Sequence, residues 1–318
     1  MKFLNKNKYY ILLVIIIIIS AFIYYNYNVK LKSMKLSEYY VDYNHFITTD
    51  KIYDHHKSIN NNKIRYIKTD FIKNRDNNDI IHIEKWNREE DTYDINTNNL
   101  HVIITGHSDY DISNNESPII NKDNIIKWFS VNMNIRNPKC ISIPLGITNK
   151  NEIGSKTHKI IGNYDKIYNI SRLTKPDKNL AYLNINVHTF PEERNKVYNT
   201  YKNKHWVTLD EPKVSLDGHE SYLNNIYSHK FIFAPRGNGI DTHRIWESLY
   251  LRSIPIVKKC IGMEQFYDLP ILFVDNWDNI TEEYLHNKYD EIMSKNYPLY
   301  KLNIDYWKNM ISNVKLKY

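Results

Sequence analysis

The stretch FIFAPRGNGIDTHRIWESLY, residues 231–250, sets an apolar run, a loop with two glycines and a helical pattern in direct succession. Residues 231–234 are short and wholly apolar, as a parallel strand buried on both faces is. The chain holds only 8 glycines, so two within three positions ask for an explanation. Glycine lets backbone come close to a ligand, and the free amides at a helix start attract an anion. In an open α/β sheet, ligands lie beyond the carboxyl ends of strands, where a strand hands over to a helix. Arg236 and Arg244 add two positive charges there, and a guanidinium fork suits phosphate oxygens. Asp241 is available as the helix N-cap, and His243 stands at the helix start as a polar residue within reach of a phosphate. Glu247, three residues after Arg244, shares its helix face and is placed to accept hydrogen bonds from ribose hydroxyls. The alternative is a plain turn followed by an exposed Arg244–Glu247 ion pair. Against it, Ile245, Trp246 and Leu249 on the same helix call for packing rather than a free surface.

Outward from this stretch the same alternation continues. LAYLNINV (180–187), HWVTL (205–209), FIFAP (231–235), IPIV (254–257) and ILFVD (271–275) read as strands. PEERNKVYNTYKN (191–203), SYLNNIYSHK (221–230), residues 241–251 and TEEYLHNKYDEIMSK (281–295) read as helices between or after them. Upstream, HVIIT (101–105) and CISIPLGI (140–147) are strands, while NIIKWFSVNM (124–133) has helical spacing. The rhythm predicts α/β layers with parallel strands. Residues 162–179, polar and containing Pro176, are the expected boundary between two domains, and a last helix lies in residues 303–318.

With 42% hydrophobic and 25% charged residues, the chain belongs among globular proteins. The net charge of +7 suits an anionic partner. No clustering of Lys and Arg with interleaved aromatics points to nucleic acid. Cys140 and Cys260 are too few for a disulfide framework and fit no metal spacing. Residues 9–25, YYILLVIIIIISAFIYY, carry no charge, and about 17 helical residues span roughly 26 Å, close to a bilayer core. Tyrosines at both ends suit the headgroup level. Bulky Phe22, Tyr24 and Tyr25 after Ser20-Ala21 argue against signal cleavage, so the reading is an uncleaved single-pass signal anchor. Lys2, Lys6 and Lys8 balance Lys30, Lys32 and Lys35, which leaves orientation open. Sequons at Asn115, Asn169 and Asn279 fit a lumenal domain but are expected by chance in an Asn-rich chain.

The segment FAPRGNGIDTHRIWESLYLRSIPIV resembles the signature of exostosin-like glycosyltransferases, an F-x-x-P-x-G loop before a helix with paired Arg and Glu and then a P-[VI] strand. DLPILFVDNWDNITEEYL (268–285) is similar to the segment that follows that signature, and ITGHSDYDIS, IPLGI and FPEERNKVY resemble more variable counterparts. The likeness covers residues 100–290 and is specific at 231–257. It implies a GT-B fold: two Rossmann-like domains facing across a cleft, with a nucleotide-sugar donor on the second. The implied division is an anchor and stem at 1–38, an acceptor-side domain at 39–175, a donor-binding domain at 176–290, and a tail at 291–318 that packs back on the first. The resemblance places the diphosphate of a nucleotide sugar, expected to be a UDP-sugar, on Arg236 and Arg244, with Gly237, Asn238, Gly239, Asp241 and His243 around it and Glu247 on the ribose. It implies a membrane-anchored enzyme of the Golgi or ER lumen, acting on a glycan or glycoprotein acceptor without a metal or other cofactor. The family has glycine where this chain has Arg252, which raises a catalytically silent binding protein as the alternative.

His107, Asp109 and Asp111, just after the strand 101–105, are the candidates for a general base that deprotonates the acceptor hydroxyl. Asp109-x-Asp111 also has the spacing of a divalent-cation bridge, a pattern common by chance, and an Asx turn after a strand is the plainer reading. His55, His56, His219 and Glu220 lack ligand spacing and read as surface. Trp206, Trp246, Trp277 and Trp307 read as core.

Overall fold

The computed structural model describes residues 33–61, 63–69, 98–106, 108–149, 164–174, 178–213 and 215–314, the strand residues 72–73, 80–85 and 88–94, and positions 15 and 176. The apolar stretch 9–25, Ile15 apart, lies outside the described residues, and among these no helix is long and apolar enough to cross a membrane.

β1 (Ile64–Thr69) is followed by a small antiparallel excursion of β2 (Ile72–Lys73), β3 (Ile80–Lys85) and β4 (Arg88–Asp94). The chain then returns to β5 (Leu100–Thr105), β6 (Ile125–Ser130) and β7 (Cys140–Ser142). The first main sheet runs β1-β5-β6-β7 and is parallel throughout. The expected helix at 124–133 is instead β6. Its Ile125, Trp128 and Phe129 are buried, and a strand hydrogen-bonded on both sides needs apolar groups on both faces, which imitates a helical spacing.

β8 (Asn179–Leu183), β9 (Val207–Leu209), β10 (His229–Phe233), β11 (Ile254–Lys258) and β12 (Leu272–Val274) make a second parallel sheet in the order β12-β11-β10-β8-β9. The chain is thus α/β with two parallel sheets, as its alternation predicts. Helix Pro191–Tyr201 carries β8 to β9, with proline in its first turn where a missing N–H does no harm. Helix Leu216–Tyr227, capped by Ser215 accepting from the Gly218 amide, carries β9 to β10. It starts five residues before the expected run, because the cap lies upstream of the apolar spacing. Helix His243–Tyr250 joins β10 to β11, and Glu282–Ser294 starts behind Thr281, which accepts from the Tyr284 amide. From β8 the chain moves out to β9, then crosses back over β8 to β10. The winding direction reverses there, and the crevice beyond the carboxyl ends of β8 and β10 is where doubly wound sheets bind ligands.

One apolar cluster runs from Leu36 to Ile311 and includes side chains of both sheets. Trp246, Trp277 and Trp307 are fully buried, whereas Trp206 only packs against the cluster's edge. The Tyr250 hydroxyl accepts from the Ile47 amide at 2.9 Å and donates to the Leu302 carbonyl at 3.0 Å, joining three distant segments. Helix Ile304–Ser312 lies on helix Thr49–Ile59: the Tyr66 hydroxyl donates to the Ile311 carbonyl, and His55 Nε2 is 2.6 Å from the Ser312 hydroxyl. His55 is therefore held in a contact, not displayed as a surface residue.

Candidate functional site

The loop after β10 is fixed from behind by helix Pro191–Tyr201. The Arg236 amide donates to Glu193 Oε1 at 3.1 Å, and Arg194 Nε donates to the Arg236 carbonyl at 2.8 Å. A second Arg194 nitrogen donates to the Asn186 carbonyl at 3.1 Å. Arg194 is only 7% exposed, and its pKa is pushed down to about 10, first by burial and second by the charge of Arg244. Arg236 lays its guanidinium over the Phe190 ring at 4.2 Å and donates to the carbonyls of Gly237 and Asn238. Arg244 donates from Nη2 to the Asn184 carbonyl at 2.6 Å, while its buried Nε has no partner. Among the described residues none of the three pairs with a carboxylate. Three guanidinium groups thus sit at the winding reversal between β8 and β10, oriented by backbone carbonyls and in no ion pair, although the Glu193 carboxylate is close enough to favour the charge of Arg194.

The glycines serve close approach within the protein. A Cβ at Gly237 would lie 3.3 Å from Arg194 Nη2, and one at Gly239 would lie 2.8 Å from Asn132 Nδ2. Asn132, in a left-handed conformation with φ 58, is buried after β6. Its side chain accepts from the Asp241 amide at 2.8 Å and donates to the Ser108 carbonyl at 3.1 Å. The loop therefore touches the carboxyl ends of strands in both sheets. Asn238 is exposed at the loop's tip.

Asp241 is not the helix cap. Thr242 occupies that position without a side-chain bond, and the Asp241 carboxylate accepts from the Leu145 amide at 2.7 Å and from Trp246 Nε1 at 2.8 and 3.0 Å. Burial raises its pKa to about 7, against the pull of Leu145, Trp246 and the Thr242 amide. It joins the two halves and has both oxygens engaged. His243 Nδ1 lies 2.7 Å from the Gly146 carbonyl, again in the first half. Gly146 has φ +71 and no room for a Cβ beside the Ile47 carbonyl, so glycine is required there.

Glu247 is 4% exposed and does not form an exposed pair with Arg244. Its Oε2 accepts from the Tyr222 hydroxyl at 2.9 Å, and Oε1 lies 3.7 Å from His219 Nε2. Burial alone would raise its pKa, but His219, His243 and Tyr222 outweigh burial and hold it below the usual glutamate value. His219, read from sequence as surface, stacks on Tyr222 with centroids 5.5 Å apart, and the Arg244 guanidinium lies over the same Tyr222 ring, 5.7 Å from its centroid.

Arg252 stands at the far end of this helix, roughly 12 Å from its start. It adopts φ 56, the left-handed position of a Schellman cap: Ser253 N donates to Ser248 O and Arg252 N to Leu249 O. Its side chain is buried, donates to the Ser171 carbonyl at 2.8 Å and lies 4.6 Å from the Tyr40 ring centroid. Arginine here points away from the three-arginine cluster and does not crowd it.

Of the base candidates, His107 lies outside the described residues. Asp109 is exposed, and Asp111 accepts from Asn134 Nδ2 at 2.7 Å. Among the described residues no three His, Cys, Asp or Glu side chains gather as a metal would need. No family model matches the chain, and no curated protein matches its sequence. The structure adds Arg194, Asn184, Asn132, Tyr222 and His219 to the site. Only Arg194 had a usable signal, a cation on the helix that follows a buried strand, the same reasoning that singled out Arg244.

Proposed function

We propose that the chain is a glycosyltransferase of the GT-B type, exostosin-like, anchored to a membrane by residues 9–25. In this reading Arg194, Arg236 and Arg244 hold the diphosphate of a nucleotide-sugar donor, a UDP-sugar in the first instance. The sugar passes to a hydroxyl of a glycan or glycoprotein. The observation that carries the reading is the set of three guanidiniums, none in an ion pair among the described residues, at the winding reversal of a doubly wound sheet. Fixed cations facing a leaving diphosphate stabilise the charge that develops as the glycosidic bond breaks. Glu247 Oε1 lies 3.7 Å from His219 Nε2, and a carboxylate oxygen with two lone pairs can also accept from a ribose hydroxyl.

Thermal unfolding with and without uridine diphosphate tests the reading. Wild-type protein should be stabilised, and Arg244→Ala should bind roughly tenfold to hundredfold more weakly, as the loss of one charge-assisted contact implies. Absence of stabilisation, or full binding by Arg244→Ala, sinks it.

A second reading, a donor-binding protein without turnover, is favoured by one observation. The carboxylates of Asp241 and Glu247 and the imidazole of His243 all have partners within the protein beside the arginines. Release of labelled sugar from a panel of UDP-sugars separates the two: binding with no hydrolysis or transfer selects the silent protein.

A further inference from the structure

Lys178, Tyr227 and Arg252 stand just before β8, β10 and β11, at the amino edge of the second sheet. The arginine loop follows the carboxyl end of β10, on the opposite edge. Tyr227 ties the amino edge together. Its ring centroid lies 5.7 Å from Lys178 Nζ and 5.9 Å from the Arg252 guanidinium, and its hydroxyl donates to the Leu173 carbonyl at 2.7 Å. Arg252 and Arg172 both lie over the Tyr40 ring, 4.6 and 5.5 Å from its centroid. Arg172, itself exposed, also donates to the Val41 carbonyl at 2.9 Å. Among the described residues neither Arg172 nor Arg252 pairs with a carboxylate. Two large hydrophobic side chains stand out from this patch: Tyr40 stays 52% exposed despite its guanidinium neighbours, and Leu173 is 55% exposed.

Covalent reach decides which way this edge faces. Met34 exchanges both backbone hydrogen bonds with Tyr297, at 3.0 and 2.9 Å, so the chain is secured to the body from that residue on. From Tyr25, where the apolar stretch ends, to Met34 the backbone can reach at most about 30 Å. A compact chain of roughly 280 residues is about 50 Å wide. The far side of the body therefore cannot touch a bilayer that holds residues 9–25, whereas the side where the chain enters lies close to it. Tyr40 is within about 20 Å of Met34 along the chain. Lys30, Lys32 and Lys35 add positive charge to this stretch, and Glu38 is the one carboxylate in residues 26–40.

An amphipathic ring and an aliphatic side chain set among cations match the headgroup level of an anionic bilayer. The apolar groups enter the interface and the cations meet phosphates and carboxylates of the lipids. We propose that the amino edge of the second sheet, with Tyr40, Arg172 and Leu173 exposed upon it, docks on an anionic phospholipid surface. This rests on the membrane anchoring by residues 9–25 proposed above. Docking by this edge turns the arginine loop away from the bilayer, toward the aqueous phase.

The test uses the full-length protein in nanodiscs of phosphatidylcholine with or without phosphatidylserine, and hydroxyl-radical footprinting read by mass spectrometry. Tyr40 and Leu173 should be modified about tenfold more slowly in the phosphatidylserine discs, the effect that two or three cations near an anionic surface give. Leu216, 65% exposed and at the other end of the helix from Tyr227, should react equally in both. Arg172→Glu should lose the protection, Arg172→Lys should keep it, and raised salt should weaken it in wild type. The inference is overturned if Tyr40 and Leu173 react alike in the two discs, or if Arg172→Glu is protected as well as wild type. Flotation with phosphatidylcholine vesicles after alkaline carbonate washing tests the anchor separately. If the protein fails to float, the anchoring falls, whereas flotation with phosphatidylserine vesicles at neutral pH that depends on Arg172 still upholds the docking edge.

Discussion

Replacing Arg194 by methionine keeps most of the buried stem and removes the guanidinium. In the free protein that charge is held at a disadvantage. Displacement of its pKa from 12.5 to about 10 corresponds to roughly 3 kcal/mol against the charged form. Methionine relieves this penalty but abandons the hydrogen bonds to the Arg236 and Asn186 carbonyls, each contributing roughly 1.5–3 kcal/mol. The two effects oppose each other, so the urea-derived stability of Arg194→Met should stay within about 2–3 kcal/mol of wild type. Binding of uridine diphosphate has no such offset. A diphosphate loses one charge-assisted contact, and calorimetric titration should show affinity lower by roughly tenfold to hundredfold. The reasoning is refuted if Arg194→Met loses much more stability than this and yet binds uridine diphosphate as wild type does. Arg194 would then be a strut for the loop and nothing more.

Arg252→Gly and Arg252→Ala both lose the bond to Ser171, but only glycine relieves the left-handed backbone. Chemical denaturation should find the glycine variant more stable by about 1 kcal/mol, and equal values would contradict the cap described above. Gly239→Ala forces a Cβ to 2.8 Å from Asn132 and should destabilise by roughly 1–3 kcal/mol through the two Asn132 hydrogen bonds; an unchanged urea midpoint would refute it. Glu247 has a folded-state pKa below its ordinary value of 4.5. Its ionisation therefore contributes stability that is complete above pH 4.5 and lost as pH falls through the lower folded value. The stability difference between wild type and Glu247→Gln should shrink on acidification below pH 4.5, and a difference constant with pH would count against this.

The sheet that carries the arginines was legible because β8, β10 and β11 are short apolar runs punctuated by polar helices. β6 was not, since Ile125, Ile126, Trp128, Phe129, Val131 and Met133 satisfy a helical period and a doubly buried strand equally well. β4, REEDTYD, has no apolar pattern at all, so the antiparallel excursion left no trace in hydrophobicity. At the site, Arg236, Arg244 and Glu247 could be found because they share one loop and one helix. His219 and Tyr222 stack as an i,i+3 pair of one helix, which spacing allows, but their place beside Glu247 cannot be read from spacing, because that contact joins two helices. Asn132 is one asparagine among many in this chain, and only its left-handed backbone and paired bonds mark it out. Asp241 shows the limit of local rules: the sequence favours a helix cap there, but Leu145 and Trp246 offer donors that the helix amides do not match.

Helix His243–Tyr250 is tied at its entrance to Gly146 through His243, and at its exit to Ile47 and Leu302 through Tyr250. It has no freedom to swing as a separate flap. Any accommodation of an arriving anion falls instead to the segments around Asn186 and Phe190 and around Asn238, which bear the remaining guanidinium contacts. Amide protons there should change their exchange with deuterium when the anion arrives, while those of the helix itself stay slow with or without it.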